Sequence, residues 1–194
     1  MAHVFLSASV PLPDRDRRFY DSADILLIRE ALKALVETVL PAGTITCGGH
    51  PTITPLIALF ARAAEVDRNR VVVYQASRFE ADFPEENADF CNVVVVRAGE
   101  QSVEANLRAM RTQMISSREF DAAVFIGGMD GVLAEAHTFS IAHPAALRLP
   151  IASTGAAALE LYRQAEYPED LASDLTYSSL YRRHLGPLSP EQQA

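Results

Sequence analysis

The chain has 194 residues, 49% hydrophobic and 22% charged, enough apolar material to bury a full core. Its 25 acidic residues outweigh 17 basic ones for a net charge of −8, a field that repels the phosphodiester backbone of nucleic acid. No apolar stretch approaches the ~18 residues that a bilayer span requires, so neither nucleic acid nor a membrane is an expected partner.

Residues 4–10 open the chain with an almost continuous apolar run, the pattern of a strand buried on both faces. In the segment 11–20, Arg15, Arg17 and Arg18 with Phe19 and Tyr20 would suit a phosphate and a base. Asp14, Asp16 and Asp21 nearly cancel that charge, which favours a solvated loop. A covering helix is expected over 25–40, where Ile28, Leu32, Leu35, Val36 and Val39 form an apolar stripe that Pro41 and Gly43 terminate. The strand 44–47 then runs into Gly48, Gly49, His50, Pro51 and Thr52, and Thr54 followed by Pro55 reads as the cap and first residue of a helix over 55–65.

Next come a strand over 71–74, an acidic loop or short helix over 79–89, a strand over 93–96 and a helix over 103–116. The strand 122–126 runs into Gly127, Gly128, Met129, Asp130 and Gly131, which open a helix over 132–142. A strand at 151–153 and a helix over 156–164 complete the alternation, before a short helix over 177–185 and a frayed tail over 186–194. The order implies an α/β fold with an open parallel sheet of about six strands, helices on both faces, and one domain over residues 1–185.

In such sheets ligands settle at the carboxyl ends of the strands, so the residues just past each strand are the candidates. Ser7 and Ser9, the two glycine turns, Gln75, Ser77, Ser153 and Thr154 gather there. A glycine pair at a helix start permits positive φ and offers bare N–H groups beside the helix dipole, and two such turns suggest a phosphate-bearing ligand. Gly48, Gly49, Gly127, Gly128 and Gly131 would bind by backbone amides, with Thr52 or Thr54 adding a hydroxyl. Neither turn is a P-loop or a dinucleotide-binding Gly-x-Gly-x-x-Gly, which disfavours Mg-nucleotide hydrolysis and hydride transfer.

Glu135 is the single carboxylate inside the helix over 132–142; it is either a dipole-stabilised surface group or a general acid/base held at the strand edge. His50 could contact phosphate or cap its own turn. His137 and His143 are six apart, not the i, i+4 spacing of a helical metal pair, so no metal is expected and they read as packed or partly exposed. Cys47 and Cys91 lack ligand spacing and read as small buried hydrophobes. With no secretory signal pattern, a reduced cytoplasmic chain is expected. Tyr177, Leu180 and Tyr181 share a helical face that could dock on the chain's own body or on a second subunit.

The turn Gly127-Gly128-x-x-Gly131-x-x-x-Glu135, with the earlier pair Gly48-Gly49, resembles the SLOG superfamily of Rossmann-like nucleotide-binding domains, which includes the "lonely guy" nucleoside-monophosphate phosphoribohydrolases. Those hydrolases carry Pro-Gly-Gly-x-Gly-Thr-x-x-Glu and an arginine on the preceding helix. The resemblance implies Glu135 as the residue that assists base–ribose cleavage and Arg111, sixteen residues before Gly127, as its arginine, with Arg108 a rival. Ile126 stands in place of the proline, Val132 replaces the threonine, and one extra residue separates Gly128 from Gly131. An inserted residue rotates the rest of the helix by ~100°, which bears on hydrolysis and leaves binding unaffected. Three functions are therefore expected: binding of a nucleoside monophosphate or ADP-ribose-like metabolite, as in sensor domains that sit beside effectors; N-glycosidic hydrolysis; or, without a ligand, a subunit whose glycine turns only close loops and whose Tyr177 face meets a partner. No cofactor is implied, and a homodimer or larger homo-oligomer is.

Overall fold

The structure is a computed structural model that describes residues 2–97 and 102–186, so of the expected tail only Gly186 lies within the described residues. Among them, β1 (His3–Ser9), β2 (Thr44–Gly48), β3 (Val71–Ala76), β4 (Asn92–Val96), β5 (Ala122–Gly127) and β6 (Leu147–Ile151) form one sheet in the order β4-β3-β2-β1-β5-β6. Every pairing is parallel. Around it lie α1 (Arg17–Ser22), α2 (Ile25–Val39), α3 (Thr54–Ala63), α4 (Val103–Ile115), α5 (Asp130–Ala142), α6 (Ala156–Arg163), α7 (Asp170–Ser173) and α8 (Tyr177–Leu185). This is the α/β, Rossmann-like architecture that the alternation implied. No helix among the described residues is long and apolar enough to cross a membrane.

Strand side chains alternate between two cores. Val4, Leu6, Ile45, Val73 and Val124 meet α2, α3 and α8 on one face, while Phe5, Tyr74, Ala123 and Phe125 meet α4, α5 and α6 on the other. From β1 the chain winds outward through β2 to β4 on one side, then returns so that β5 and β6 extend the other. The order therefore reverses between β1 and β5, the place where helices diverge and leave a crevice at the carboxyl edge.

Several local expectations are corrected. The segment 11–20 is not wholly loop: Asp16 caps α1 by accepting from the Arg18 N–H at 2.8 Å, and Phe19 is fully buried. That aromatic anchor gives the short helix the packing that its charge pattern concealed. β6 ends at Ile151, two residues before the expected Ser153, which lies in a tight 3-10 turn over Ala152–Thr154. Arg148 and Pro150 broke the apolar pattern, and both are tolerated because β6 is an edge strand. Cys91 is exposed rather than buried. Tyr177, Leu180 and Tyr181 are buried in the chain's own core with the residues of α2, so that face docks internally.

Two hydrogen bonds fix the turn after β5. Gly127 and Gly128 have φ of 56° and 89°, a region costly for any side chain. The Gly127 N–H donates to Thr154 Oγ1 at 2.9 Å, and Thr154 in turn donates to the Ile151 carbonyl at 2.6 Å. The Gly128 N–H donates to the Ser9 carbonyl at 2.8 Å, joining the ends of β1, β5 and β6. Thr154 is fully buried, so Thr154→Val should strand the Gly127 amide and lower unfolding free energy by about 1–3 kcal/mol. Thr154→Ser should recover most of it, as measured by urea denaturation.

Candidate functional site

The two glycine turns lie at the ends of β2 and β5, which flank β1 on either side, so they sit two strand spacings apart, about 10 Å, at one edge. They differ in what they offer. In the first, the Gly49 N–H donates to the Tyr74 carbonyl, the His50 N–H to Thr54 Oγ1 and the Thr52 N–H to His50 Nδ1. Gly48 is itself paired opposite Tyr74 in the sheet. The expected amide cradle at Gly48 and Gly49 is therefore closed by the chain's own acceptors, because β2 and β3 continue to pair past the strand end. Gly49 is needed for space: a Cβ there would lie 2.0 Å from the buried Gln75 amide.

The helix start also differs from expectation. Ile53 is the cap position, and the Thr54 hydroxyl faces back to His50 instead of capping its own helix. Because His50 Nδ1 accepts from an N–H, the ring's proton sits on Nε2. Burial, and then the nearby Arg15, hold its pKa below the ordinary value. His50 thus caps its own turn through Nδ1, and its Nε2–H has no acceptor among the described residues. Thr52 Oγ1 accepts weakly from the Val10 N–H at 3.4 Å, tying this turn to the end of β1.

At the second turn the Gly127 and Gly128 amides are bound internally, to Thr154 and Ser9, which leaves the start of α5. The N–H groups of Met129, Asp130 and Gly131 have no acceptor among the described residues. This 13-residue helix therefore presents its positive end to the crevice beside β1. Ser7 and Ser9, two residues apart on β1, project to the same face, and Ser9 is only 6% exposed with a hydroxyl that has no partner among the described residues.

Behind this mouth, Ser7 Oγ donates to Glu135 Oε2 at 2.5 Å, and Arg111 Nε, from α4, lies 3.3 Å from Glu135 Oε1. The extra residue before Gly131 does not turn Glu135 away; α5 aims it inward. Arg108 is exposed, and Arg111 is the arginine that reaches the carboxylate. The Glu135 side chain is 13% exposed, and its burial raises the carboxyl pKa, with the Ser7 and Arg111 contacts opposing the shift. Cys47 is buried beneath, its thiol pushed up to about 12 by burial and by Glu135. A Cβ on Gly131 would stand 3.1 Å from Arg111 Nη2, so this glycine makes room for the guanidinium.

Chemically, burial makes this carboxyl hold its proton to higher pH than an ordinary one, while the guanidinium and the helix start supply positive charge. Among the described residues no group of His, Cys, Asp or Glu is arranged to hold a metal.

Sequence reasoning missed where Arg18 reaches: it lies 3.3 Å from Glu160 and 3.5 Å from the exposed Asp130 and so bridges α1 to α5 and α6. It also missed a third glycine corner. Gly155, at φ 72°, lets the Ser22 carbonyl approach within 1.8 Å of where a Cβ would be, and Ser22 Oγ accepts from the Ala156 N–H at the start of α6. The strand–Gly–helix pattern at 151–156 was the available signal. His143 is buried against Phe120 and Phe139 with Nε2 donating to the Ile115 carbonyl, and His137 is exposed, in keeping with a structural reading of both.

A model of the SLOG cluster3 family matches residues 18–185. The X-ray structure of TM1055, a Northeast Structural Genomics Consortium target, aligns with 95% of this chain and 99% of its own at a TM-score of 0.56 and 12% identity, a likeness of fold. No curated protein gives a significant match.

The raised Glu135 pKa has a defined stability signature. A folded acid that holds its proton more tightly than the unfolded one favours folding at low pH, and the advantage is lost as pH rises above the ordinary carboxylate value. Glu135→Gln keeps partners for Ser7 and Arg111 without the charge. Its stability relative to wild type should therefore increase as pH rises above the ordinary carboxylate value of about 4.5, in the absence of ligand, as read from thermal unfolding at each pH.

Proposed function

The chain belongs to the SLOG cluster3 family, and we propose that it binds a nucleoside monophosphate or related nucleotide-derived metabolite at the carboxyl edge between β1 and β5. The observation that carries this reading is the set of three amides at the start of α5 that have no acceptor among the described residues, on the edge that also carries the Ser9 hydroxyl and the half-buried Arg111. A phosphate there would accept from Met129, Asp130 and Gly131 and would meet the helix dipole. The first turn, with its amides already bonded, would shape the opposite wall around His50 and Thr52. The chain would then act as one ligand-binding domain over residues 1–185, as a sensor paired with a separate effector, and as a homo-oligomer.

The test is thermal unfolding against a panel of nucleoside monophosphates and ADP-ribose. Saturation at about 100 times Kd should raise Tm by roughly 5–10 °C, whereas the matching nucleosides should do far less. Gly128 is unsuitable for substitution, because any side chain there would strike Val132 and misfold the turn. Ser9→Ala and Arg111→Gln should each weaken binding by about tenfold. Gly131→Ala should leave apo stability unchanged or raise it by up to about 1 kcal/mol while displacing Arg111 and reducing affinity. No shift with any phosphorylated ligand would refute the reading.

A second reading, N-glycosidic hydrolysis, is favoured by one observation: Glu135, its side chain 13% exposed, is hydrogen-bonded to Ser7 and held at a raised pKa at the edge between β1 and β5. In it Glu135 assists departure of the base and Arg111 orients the phosphate. Wild type should release free base from a nucleoside monophosphate, and Glu135→Gln should be slower by at least about 100-fold while still binding. Equal rates would end this reading and leave binding standing.

A further inference from the structure

A second concavity lies far from that edge, between the C-terminal halves of α5 and α6, with a volume of about 250 Å³. Its floor is apolar, made by Phe125 of β5 and Leu161 of α6, and Tyr167 forms a wall, braced by Tyr162 at a ring separation of 6.1 Å. Arg148 enters from the edge strand. Paired opposite Ala123, whose side chain belongs to the α4–α6 core, it projects to the covered face of the sheet and not to the far side. Its guanidinium has no acceptor among the described residues, in a chain where acidic groups outnumber basic ones, 25 to 17. His137 and the Gln164 amide complete the rim, and neither side chain has a partner among the described residues. Every polar side chain just named can donate, and none of them is a carboxylate.

We propose that this groove is a second ligand site for a small carboxylate with a single aromatic ring. The guanidinium fork of Arg148 would receive the carboxylate and the ring would lie on Phe125 and Leu161 against Tyr167. Size and lining set the class. The volume falls just below the ~300–1,000 Å³ of ordinary small-molecule pockets, which accommodates one ring and excludes a dinucleotide. An apolar floor with one strong cation at its rim selects an anion with an apolar body over a hydrated inorganic anion. The site stands independently of the nucleotide reading, since it shares no residue with it.

Fluorine NMR titration with 4-fluorophenylacetate tests the proposal on the whole chain, with 2-(4-fluorophenyl)ethanol as the uncharged control and 4-fluorophenyl phosphate as the alternative anion. Saturable binding near ~1 mM is expected for the carboxylate, at least about tenfold weaker for the alcohol and for Arg148→Gln. Ala165→Trp, which fills the groove from its exposed rim, should abolish it. Tighter binding of the phosphate than of the carboxylate would overturn the assigned class. Absence of saturable binding, or equal affinity in wild type and Arg148→Gln, would overturn the site. Nucleotide-induced thermal shifts should be the same in Arg148→Gln as in wild type, so the two sites fail or succeed separately.

Discussion

The whole arrangement depends on how the ends of β1, β5 and β6 are joined. Two buried amides, of Gly127 and Gly128, are satisfied by Thr154 Oγ1 and the Ser9 carbonyl, and both residues need positive φ to reach those acceptors. With these amides turned inward, the next three face outward, and the axis of α5 is fixed relative to β1. A helix so aimed brings Glu135, one turn in, over Ser7. The glycines thus act through conformation: they direct the helix, and the residues after them carry the unpaired donors.

That geometry explains why a carboxylate is tolerated in the core. Burial raises the Glu135 pKa, and the fold supplies one hydroxyl donor and one guanidinium, from two other elements, that oppose the shift. Gly131 participates by absence, since its missing side chain is the space that Arg111 occupies. A core built for stability alone would place a hydrocarbon there, so Glu135 depends on those two contacts for its place in the fold.

The α/β alternation was legible because strands buried on both faces read as apolar runs, and α2 carried a long apolar stripe at helical spacing. Boundaries failed where packing overrode local signal. α1 is held by the burial of Phe19, and β6 accepts Arg148 and Pro150 because an edge strand needs fewer ladder bonds. At the site, residue types and spacing pointed to Glu135, Arg111 and the second glycine turn. The first turn looked equivalent in sequence, yet its amides are closed by the Tyr74 carbonyl across the β2–β3 pairing and by the Thr54 and His50 side chains folded back within the turn.

The sequence by itself determined the order of elements, the two glycine turns at strand ends and the family resemblance, because these depend on periodicity and on the backbone freedom of glycine. Tertiary structure alone decided which amides remain open, which arginine meets Glu135 and where Arg18 and Arg148 reach. Each of those depends on acceptors and neighbours supplied by segments distant along the chain, and no local pattern encodes the direction in which a side chain meets them.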